Sequence, residues 1–227
     1  MILEGDTMKG KFVVIEGCDS SGKETQSKLL EKKLTEKGYK CLRFSFPMYD
    51  TPTGKIIKES YLNKNGTGVF PEGASNVDPY IAALYYAADR KYNINKILEY
   101  YNDGYYIILD RYITSNMAYQ GSKILNKDDR FYMYQWIDKL EYWLLKLPKP
   151  DKTILLDMPL KYILELVKNR DIIDDIERDK EYLQRSIDAY IELSELYGWD
   201  KINCIKDNKL KTIEEINNEI IKIILAD

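Results

Sequence analysis

The chain has 227 residues, of which 44% are hydrophobic and 31% charged, and its 34 basic and 37 acidic side chains give a net charge of −3. This composition excludes collagen-like, disordered and disulfide-scaffold proteins, and the length favours a single domain. The acidic balance argues against nucleic acid as a partner. Histidine is absent, which excludes Ser-His-Asp and Cys-His nucleophile sites and every histidine-containing metal site.

The three cysteines are odd in number and far apart, which is typical of a reducing cytosol, so we predict a cytoplasmic protein. No apolar run approaches the length of a membrane span, and the first ten residues lack the apolar core of a signal peptide. We therefore expect an N-terminal tail over residues 1–10, one domain over residues 11–227 and no membrane partner.

Short apolar runs alternate with longer amphipathic segments along the chain. Strands are predicted over residues 11–16, 39–46, 105–110, 153–158 and 201–206. Helices are predicted over residues 25–37, 79–101, 160–169, 178–197 and 212–225, with a helical pair spanning roughly residues 114–146. This alternation predicts an α/β fold, a doubly wound five-stranded parallel sheet with helices on both faces. Such sheets bind ligands at the carboxyl ends of their strands.

A glycine-rich loop follows the first strand directly and opens a helix. Its residues are Gly17, Cys18, Asp19, Ser20, Ser21, Gly22, Lys23, Glu24 and Thr25, here called the phosphate loop. The glycines let backbone N–H groups turn toward phosphate oxygens, the helix N-terminus adds partial positive charge, and Lys23 adds a mobile full charge. The pattern predicts that these residues bind nucleotide phosphates in a P-loop NTPase-type three-layer sandwich.

The residue after the lysine departs from the usual pattern. Most such loops carry Ser or Thr there, with a hydroxyl that ligates Mg²⁺. Here the position is Glu24, and Thr25 follows one place later. A carboxylate near phosphate must point away or meet the metal. We favour the first interpretation, an acidic residue of the first turn stabilised by the helix dipole.

The Asn-Lys-x-Asp signature of GTPases is absent from the sequence. Further motifs indicate which other kind of phosphate-loop protein this is. They are Phe46-Pro47-x-Tyr49, Asp89-Arg90, Asp110-Arg111-Tyr112-x-x-Ser115-Asn116-x-x-Tyr119, Leu147-Pro148-Lys149-Pro150-Asp151 and Glu177-Arg178-Asp179. Their shared order, over nearly the whole chain, resembles the thymidylate kinase family, and its bacterial members especially. The resemblance implies Mg²⁺-dependent transfer of the γ-phosphoryl group of ATP to dTMP, which gives dTDP for dTTP synthesis.

The resemblance implies four catalytic residues. Lys23 would contact the β- and γ-phosphates, Asp110 would hold Mg²⁺ or orient the acceptor phosphate, and Arg111 would clamp the dTMP phosphate. A structural ion pair between Asp110 and Arg111 is the alternative. Arg170, in a short helical lid over about residues 168–177, is the predicted transition-state arginine, with Arg178 in reserve. The predicted metal ligands are Asp19, Asp110, Asp174 and Glu177.

The resemblance also implies a dTMP site. Its predicted residues are Asp19, Phe46, Tyr49, Tyr86, Arg90, Arg111, Ser115, Asn116 and Tyr119. Tyr86 and Arg90 are four residues apart, so they share one helix face, where the ring can stack on thymine and the guanidinium can hydrogen-bond a base carbonyl. Ser115 and Asn116 can address the pyrimidine edge. Core packing is the alternative for Tyr86.

Two of these residues are implied to contact the sugar. Asp19 would accept a hydrogen bond from the deoxyribose 3′-hydroxyl, and a solvated turn aspartate is its alternative. Tyr119 would crowd C2′ and so disfavour ribose. For Tyr119 and Phe46, packing in the core is the alternative.

Two other functions are compatible with the sequence. A deoxynucleoside kinase would need a carboxylate base for a 5′-hydroxyl, and Glu16 ends the first strand where such a base could lie. A non-catalytic nucleotide-binding relative is suggested by Glu24, by Met48-Tyr49 where relatives carry a basic residue, and by a lid with few arginines. The resemblance further implies a homodimer, for which residues 131–145 supply either an interface or a core helix.

Overall fold

The computed structural model describes residues 10–61, 70, 72–73, 75–167 and 180–226. Its main sheet has five parallel strands, β1 (Lys11–Glu16), β2 (Cys41–Ser45), β3 (Tyr106–Asp110), β4 (Lys152–Asp157) and β5 (Asp200–Asn203). Their order across the sheet is β2-β3-β1-β4-β5. The predicted five-stranded parallel sheet is therefore confirmed, with β1 at its centre.

Helices cover both faces of this sheet. They are α1 (Lys23–Glu36), α2 (Pro52–Ile56), α3 (Pro79–Asn102), α4 (Ile113–Gly121), α5 (Lys127–Asp138), α6 (Leu160–Val167), α7 (Lys180–Tyr197) and α8 (Ile213–Ile224). π-Helical turns extend α2 over Ile57–Tyr61 and α5 over Lys139–Leu144. In the described part of the chain, no helix combines the length and hydropathy that a membrane span needs.

Two differences from the predicted elements have local causes. The strand predicted over residues 201–206 is wrong in its second half, because the chain leaves the main sheet after Asn203 and forms a hairpin of β6 (Ile205–Lys206) and β7 (Lys209–Leu210). The two residues between these strands, Asp207 and Asn208, have φ values of 51° and 57°, the left-handed backbone that a two-residue hairpin turn requires. Helix α2, which the periodicity did not predict, begins at a proline.

The central strand is apolar on both faces because each face meets a separate core. Phe12 and Val14 pack in the cluster that includes α3, α4 and α5. Val13 and Ile15 pack in the cluster that includes α1, α6 and α8. Alternate side chains of a strand point to opposite faces, so a parallel strand covered on both sides is a continuous apolar run.

The register of the strands brings their polar ends together. Asp110, the last residue of β3, is aligned with Ile15 of β1 and Ser45 of β2. Glu16 ends β1, and the phosphate loop begins at the next residue. Side chains from three neighbouring strands therefore converge on one edge of the sheet, where α1 and α4 also begin.

Helix α3 brings a second set of side chains to the same edge. It begins after Asp78, whose carboxylate accepts hydrogen bonds from the backbone N–H groups of Tyr80 at 2.9 Å and Ile81 at 3.1 Å. Its packing against α4 places Tyr86 and Arg90 beside the segment that follows β3.

Candidate active site

The phosphate loop has a shape that depends on its glycines. Gly17 and Gly22 have φ values of 149° and 88°, which L side chains rarely adopt. A Cβ atom on Gly17 would lie 2.6 Å from Oγ of Ser21. Nζ of Lys23 folds back over the loop and donates to the carbonyl oxygen of Cys18 at 2.6 Å. The loop thus presents a buried ammonium group at its centre.

The charge of Lys23 is tuned by its surroundings. Burial first, and then the nearby charge of Arg111, lower its pKa to about 8, although Asp19 and Asp110 act in the opposite direction. A bound phosphate would add negative charge beside the ammonium group and favour its protonated form. The site is therefore arranged so that an anion and a proton on Lys23 stabilise each other.

The side chain of Glu24 lies on the surface of α1. Its carboxylate accepts a hydrogen bond from Nζ of Lys28 at 2.6 Å, and the two side chains are 69% and 61% exposed. Thr25 is exposed as well. This is a first-turn acidic residue with an i,i+4 partner, so its carboxylate points away from the loop, as the favoured interpretation expected.

Asp110 is held from the neighbouring strand. Nη2 of Arg43 donates to its Oδ2 atom at 2.7 Å, and Nε of Arg43 donates to Oγ of Ser27 at 2.7 Å. Arg111, the next residue, pairs instead with Asp19. The two neighbours Asp110 and Arg111 therefore each have a different ion-pair partner. We missed Arg43 in the sequence, although an arginine inside an otherwise apolar strand was a usable signal.

Arg111 and Tyr119 hold the carboxylate of Asp19 between them. Arg111 has a φ of 69°, and its Nη2 atom donates to Oδ1 of Asp19. The hydroxyl of Tyr119 donates to Oδ2 at 2.7 Å and accepts from the backbone N–H of Asp19 at 3.0 Å. Burial alone would lower the pKa of Arg111, but the charge of Asp19 raises it well above its usual value. A permanent cation thus lies beside the phosphate loop.

A pocket opens next to this pair, between β2, α3, α4 and α7. Its lining includes all nine residues predicted for the nucleotide acceptor, namely Asp19, Phe46, Tyr49, Tyr86, Arg90, Arg111, Ser115, Asn116 and Tyr119. The remaining lining residues, which we did not predict, are Pro47, Tyr112, Gln120 and Tyr182. We call this cavity the side pocket. Its walls combine aromatic side chains with an equal number of polar or charged ones, and aromatic walls with placed polar groups are typical of small-molecule sites.

One wall of the side pocket is built on a buried ion pair. Nε and Nη2 of Arg90 each donate to the carboxylate of Glu141 at 2.5 Å. Nδ2 of Asn116 donates to Oε1 of Glu141 at 2.9 Å and to the carbonyl oxygen of Ala83 at 3.1 Å. Oδ1 of Asn116 and Oε1 of Gln120 are buried with no hydrogen-bond partner among the described residues. We did not predict Glu141, because it follows Asp138 and Lys139 in the sequence and resembles one more charged residue on a helix surface.

Glu16 caps helix α4. Its carboxylate accepts from the backbone N–H groups of Tyr112 at 3.1 Å and Ser115 at 3.0 Å, from Oγ of Ser115 at 2.6 Å and from the hydroxyl of Thr114. The residue is fully buried. Four donors therefore occupy the carboxylate that we considered as a base for a nucleoside hydroxyl.

Asp89 positions the segment that follows β2. Its buried carboxylate accepts from the backbone N–H of Met48 at 2.8 Å and from the hydroxyl of Thr53 at 2.7 Å. This segment carries Phe46 and Tyr49 into the side pocket, and the Phe46–Pro47 peptide bond is cis. Phe46 is also part of the core, so the same side chain lines the side pocket and packs in the core.

The predicted lid over residues 168–177, with Arg170, Asp174 and Glu177, lies outside the described residues, as do Arg178 and residues 1–9 of the tail predicted over residues 1–10. Over the ranges that the structure describes, no three acidic or cysteine side chains come together as a metal site. The carboxylate of Asp110 beside the phosphate loop still fits Mg²⁺, which commonly takes one or two carboxylates and completes its shell with phosphate oxygens and water.

Comparisons with known proteins agree with this geometry. The sequence model of the family described as Thymidylate kinase matches residues 15–220. A Pyrococcus horikoshii protein named "Probable thymidylate kinase" is 32% identical over 96% of this chain and 97% of its own length. The Thymidylate kinase of Prochlorococcus marinus (strain NATL2A) is 35% identical over 96% and 99% of the two chains. The solved structure of thymidylate kinase from Candida albicans matches with a TM-score of 0.72 and 28% identity, over 96% of this chain and 92% of that one.

Proposed function

Because this chain belongs to the thymidylate kinase family, we propose that it transfers the γ-phosphoryl group of ATP to dTMP, giving dTDP and ADP. The observation that carries the proposal is the side pocket, which joins the phosphate loop at the Arg111–Asp19 pair. A cation at that junction and an aromatic pocket beyond it match a nucleotide whose phosphate faces the loop and whose base lies inside the pocket.

The residues described above suffice for most of such a transfer. Lys23 would neutralise the β- and γ-phosphates, and Arg111 would bind the acceptor phosphate, so that two anions can approach each other. No general base is needed, because a phosphate monoester oxygen is ionised near neutral pH. Mg²⁺, when bound, would neutralise charge on the β- and γ-phosphates, and Asp110 would hold it. We propose Arg170 as the arginine that the lid adds in the transition state.

Deoxynucleoside kinase activity is the weaker proposal because of Glu16. A base for a 5′-hydroxyl must lie within hydrogen-bond reach of that hydroxyl with a free acceptor oxygen. Both oxygens of Glu16 accept hydrogen bonds from the start of α4. If Glu16 moved away from the start of α4 to act as a base, the backbone N–H groups at that helix end would lose their acceptor.

The proposal also covers the metal, the location and the domain organisation of the enzyme. We propose Mg²⁺ as its metal, the cytoplasm as its location, and one domain over residues 11–227 with its lid over residues 168–177.

We also propose a homodimer. In the predicted interface segment, Tyr132 and Trp143 are each 60% exposed, whereas Tyr134 and Ile137 are buried in the core. The exposed side chains are available to a second copy, and sedimentation velocity of the full chain tests this assembly.

The first experiment is coupled ADP release with ATP and Mg²⁺, comparing dTMP with thymidine, dUMP, dCMP and UMP. We expect clear preference for dTMP and no turnover of thymidine. Lys23→Met should abolish turnover, and Lys28→Met, which removes an exposed lysine one turn further along α1, should leave it unchanged. Turnover of thymidine would overturn the proposal in favour of a nucleoside kinase, and silence with all five acceptors would indicate a non-catalytic relative.

A further inference from the structure

Glu141 accepts hydrogen bonds from two side chains that line the side pocket, Arg90 and Asn116. We propose that Glu141 is a specificity-determining positioning residue, which orients Arg90 and Asn116 so that the side pocket selects a 4-oxopyrimidine and rejects a 4-aminopyrimidine. The inference rests on the proposed function, because it assumes that the base of the acceptor nucleotide enters the side pocket.

The orientation of Arg90 follows from its two hydrogen bonds. Nε and Nη2 both donate to Glu141, so the side-on edge of the guanidinium is occupied by the carboxylate. Neither bond uses Nη1, and Arg90 lines the side pocket. Because the guanidinium is planar and its donors are fixed in a fork, holding one edge also fixes the direction of the third nitrogen. Arg90 can therefore offer the pocket a donor, and only a donor.

The orientation of Asn116 is fixed by two acceptors. Its NH₂ group donates to Oε1 of Glu141 at 2.9 Å and to the carbonyl oxygen of Ala83 at 3.1 Å. A flipped amide would place its oxygen against both of these oxygens, which cannot donate. Oδ1 therefore faces away from Glu141 and Ala83, and among the described residues it is buried with no partner. A buried acceptor in this state requires a donor from a ligand or from water.

This donor and this acceptor match one kind of pyrimidine edge. A 4-oxopyrimidine presents a carbonyl oxygen beside a ring N–H, which can accept from Nη1 of Arg90 and donate to Oδ1 of Asn116. A 4-aminopyrimidine presents an amino group beside an unprotonated ring nitrogen, so donor would face donor and acceptor would face acceptor. Sites built on buried hydrogen-bonding groups discriminate strongly in this situation, because the wrong ligand leaves those groups unsatisfied.

Burial makes the arrangement rigid. The side chain of Glu141 is fully buried and that of Arg90 is 3% exposed. Burial by itself would lower the pKa of Arg90, but the charge of Glu141 raises it, so the guanidinium stays charged. A charged pair without access to water cannot exchange its partners for solvent, and its geometry persists when the pocket is empty.

The test is Glu141→Gln, assayed for kcat and KM with dTMP and with dCMP. In Glu141, Oε1 accepts from Nη2 of Arg90 and from Asn116, and Oε2 accepts from Nε of Arg90. Glutamine keeps the shape but removes the charge and places an NH₂ donor at one of these two positions, so at least one donor of Arg90 faces another donor. We expect the ratio of kcat/KM for dTMP to that for dCMP to fall by about 10- to 100-fold, since a hydrogen bond to a charged group contributes that much discrimination. Most of the change should appear in KM for dTMP, with kcat at saturation changed far less.

Glu192→Gln is the matched control. Glu192 accepts from Nε of Arg130 at 2.9 Å and from the hydroxyl of Tyr134 at 3.0 Å, and neither partner lines the side pocket. This variant should keep the wild-type ratio. If Glu141→Gln does not fold, as judged by its thermal transition, Glu141→Asp takes its place, because it keeps the charge but is one methylene too short to reach both partners.

The outcomes separate this inference from the proposed function. A wild-type enzyme that prefers dTMP, with a Glu141 variant that folds and keeps the wild-type ratio, would overturn the role of Glu141 alone. A variant that loses kcat equally with both nucleotides would assign Glu141 a purely structural role and also overturn the inference. A wild-type enzyme with no preference between dTMP and dCMP would overturn the proposed function first.

Discussion

Nη2 of Arg43 and Oδ2 of Asp110 lie 2.7 Å apart at the carboxyl edge of the sheet. The two residues are 67 positions apart in the sequence and come from adjacent strands, β2 and β3. Their side chains are 15% and 7% exposed. The carboxylate that we propose for Mg²⁺ is thus already held by a cation from the neighbouring strand, which also contacts α1 through Ser27.

Arg43→Met should destabilise the fold because it leaves the carboxylate of Asp110 buried without its partner. We expect a loss of about 3 kcal/mol in the free energy of unfolding, the usual cost of removing one member of a buried pair. Urea unfolding followed by circular dichroism measures it. Lys28→Met is the control, since it breaks an exposed pair with Glu24 and should cost less than about 0.5 kcal/mol. Equal losses in the two variants would contradict the buried role.

The affinity for ATP should depend on pH through Lys23. Its pKa of about 8 lies below the usual value, so the free protein loses this charge as the pH rises through 8, and binding of a polyanion must then take up a proton. We expect the dissociation constant of ATP to rise above pH 8, by about tenfold per pH unit at the limit. Isothermal titration calorimetry from pH 7 to 9.5 measures this slope. Lys23→Met should bind ATP weakly and without the slope, and the same slope in that variant would assign the titration elsewhere.

The hydroxyl of Tyr119 should affect KM for dTMP, whereas its ring should affect the preference for deoxyribose over ribose. Tyr119→Phe removes the hydrogen bond to Oδ2 of Asp19, so we expect KM for dTMP to rise about tenfold while the preference for dUMP over UMP is kept. Tyr119→Leu removes the ring as well, and we expect it to reduce that preference. Steady-state kinetics with the three nucleotides measures both effects. The prediction fails if the two variants change the preference by the same factor.

Asp89 should control acceptor binding from outside the side pocket. Asp89→Asn places an amide donor either against the N–H of Met48 or against the NH₂ group of Asn93, so the anchor of the segment that carries Phe46 and Tyr49 is weakened. We expect a loss of about 2 kcal/mol in stability and a rise of about tenfold in KM for dTMP, with a smaller change in KM for ATP. Chemical unfolding and kinetics measure the two.

The control for that variant is Asp78→Asn. Asp78 caps α3 through backbone N–H groups, and asparagine caps a helix about as well as aspartate. Stability and both KM values should stay near those of the wild type. A rise in KM for ATP as large as that for dTMP in Asp89→Asn would show that the whole site, and not the acceptor segment, had moved.

Much of the fold could be predicted because it depends on local signals. Apolar runs bounded by glycine and proline placed the five strands within a few residues, and β1 was identified to the residue. The predictions were less accurate where tertiary contacts decide the structure. Asn203 ends β5 because the chain turns into a hairpin, and α5 passes into a π-helical turn at Lys139, changes that a 3.6-residue periodicity does not indicate.

The phosphate loop could be identified from the sequence because its residues are close together in the chain, where spacing constrains geometry. The family was identified by the shared order of several motifs that resemble it, and that resemblance supplied nine of the residues that line the side pocket. The partners of those residues could not be identified, because they come from distant segments. Arg43 holds Asp110 across two strands, Glu141 holds Arg90 and Asn116 from the turn after α5, and Glu16 caps α4. Buried charges and helix ends need a partner, but only the packing of the chain decides which residue supplies it.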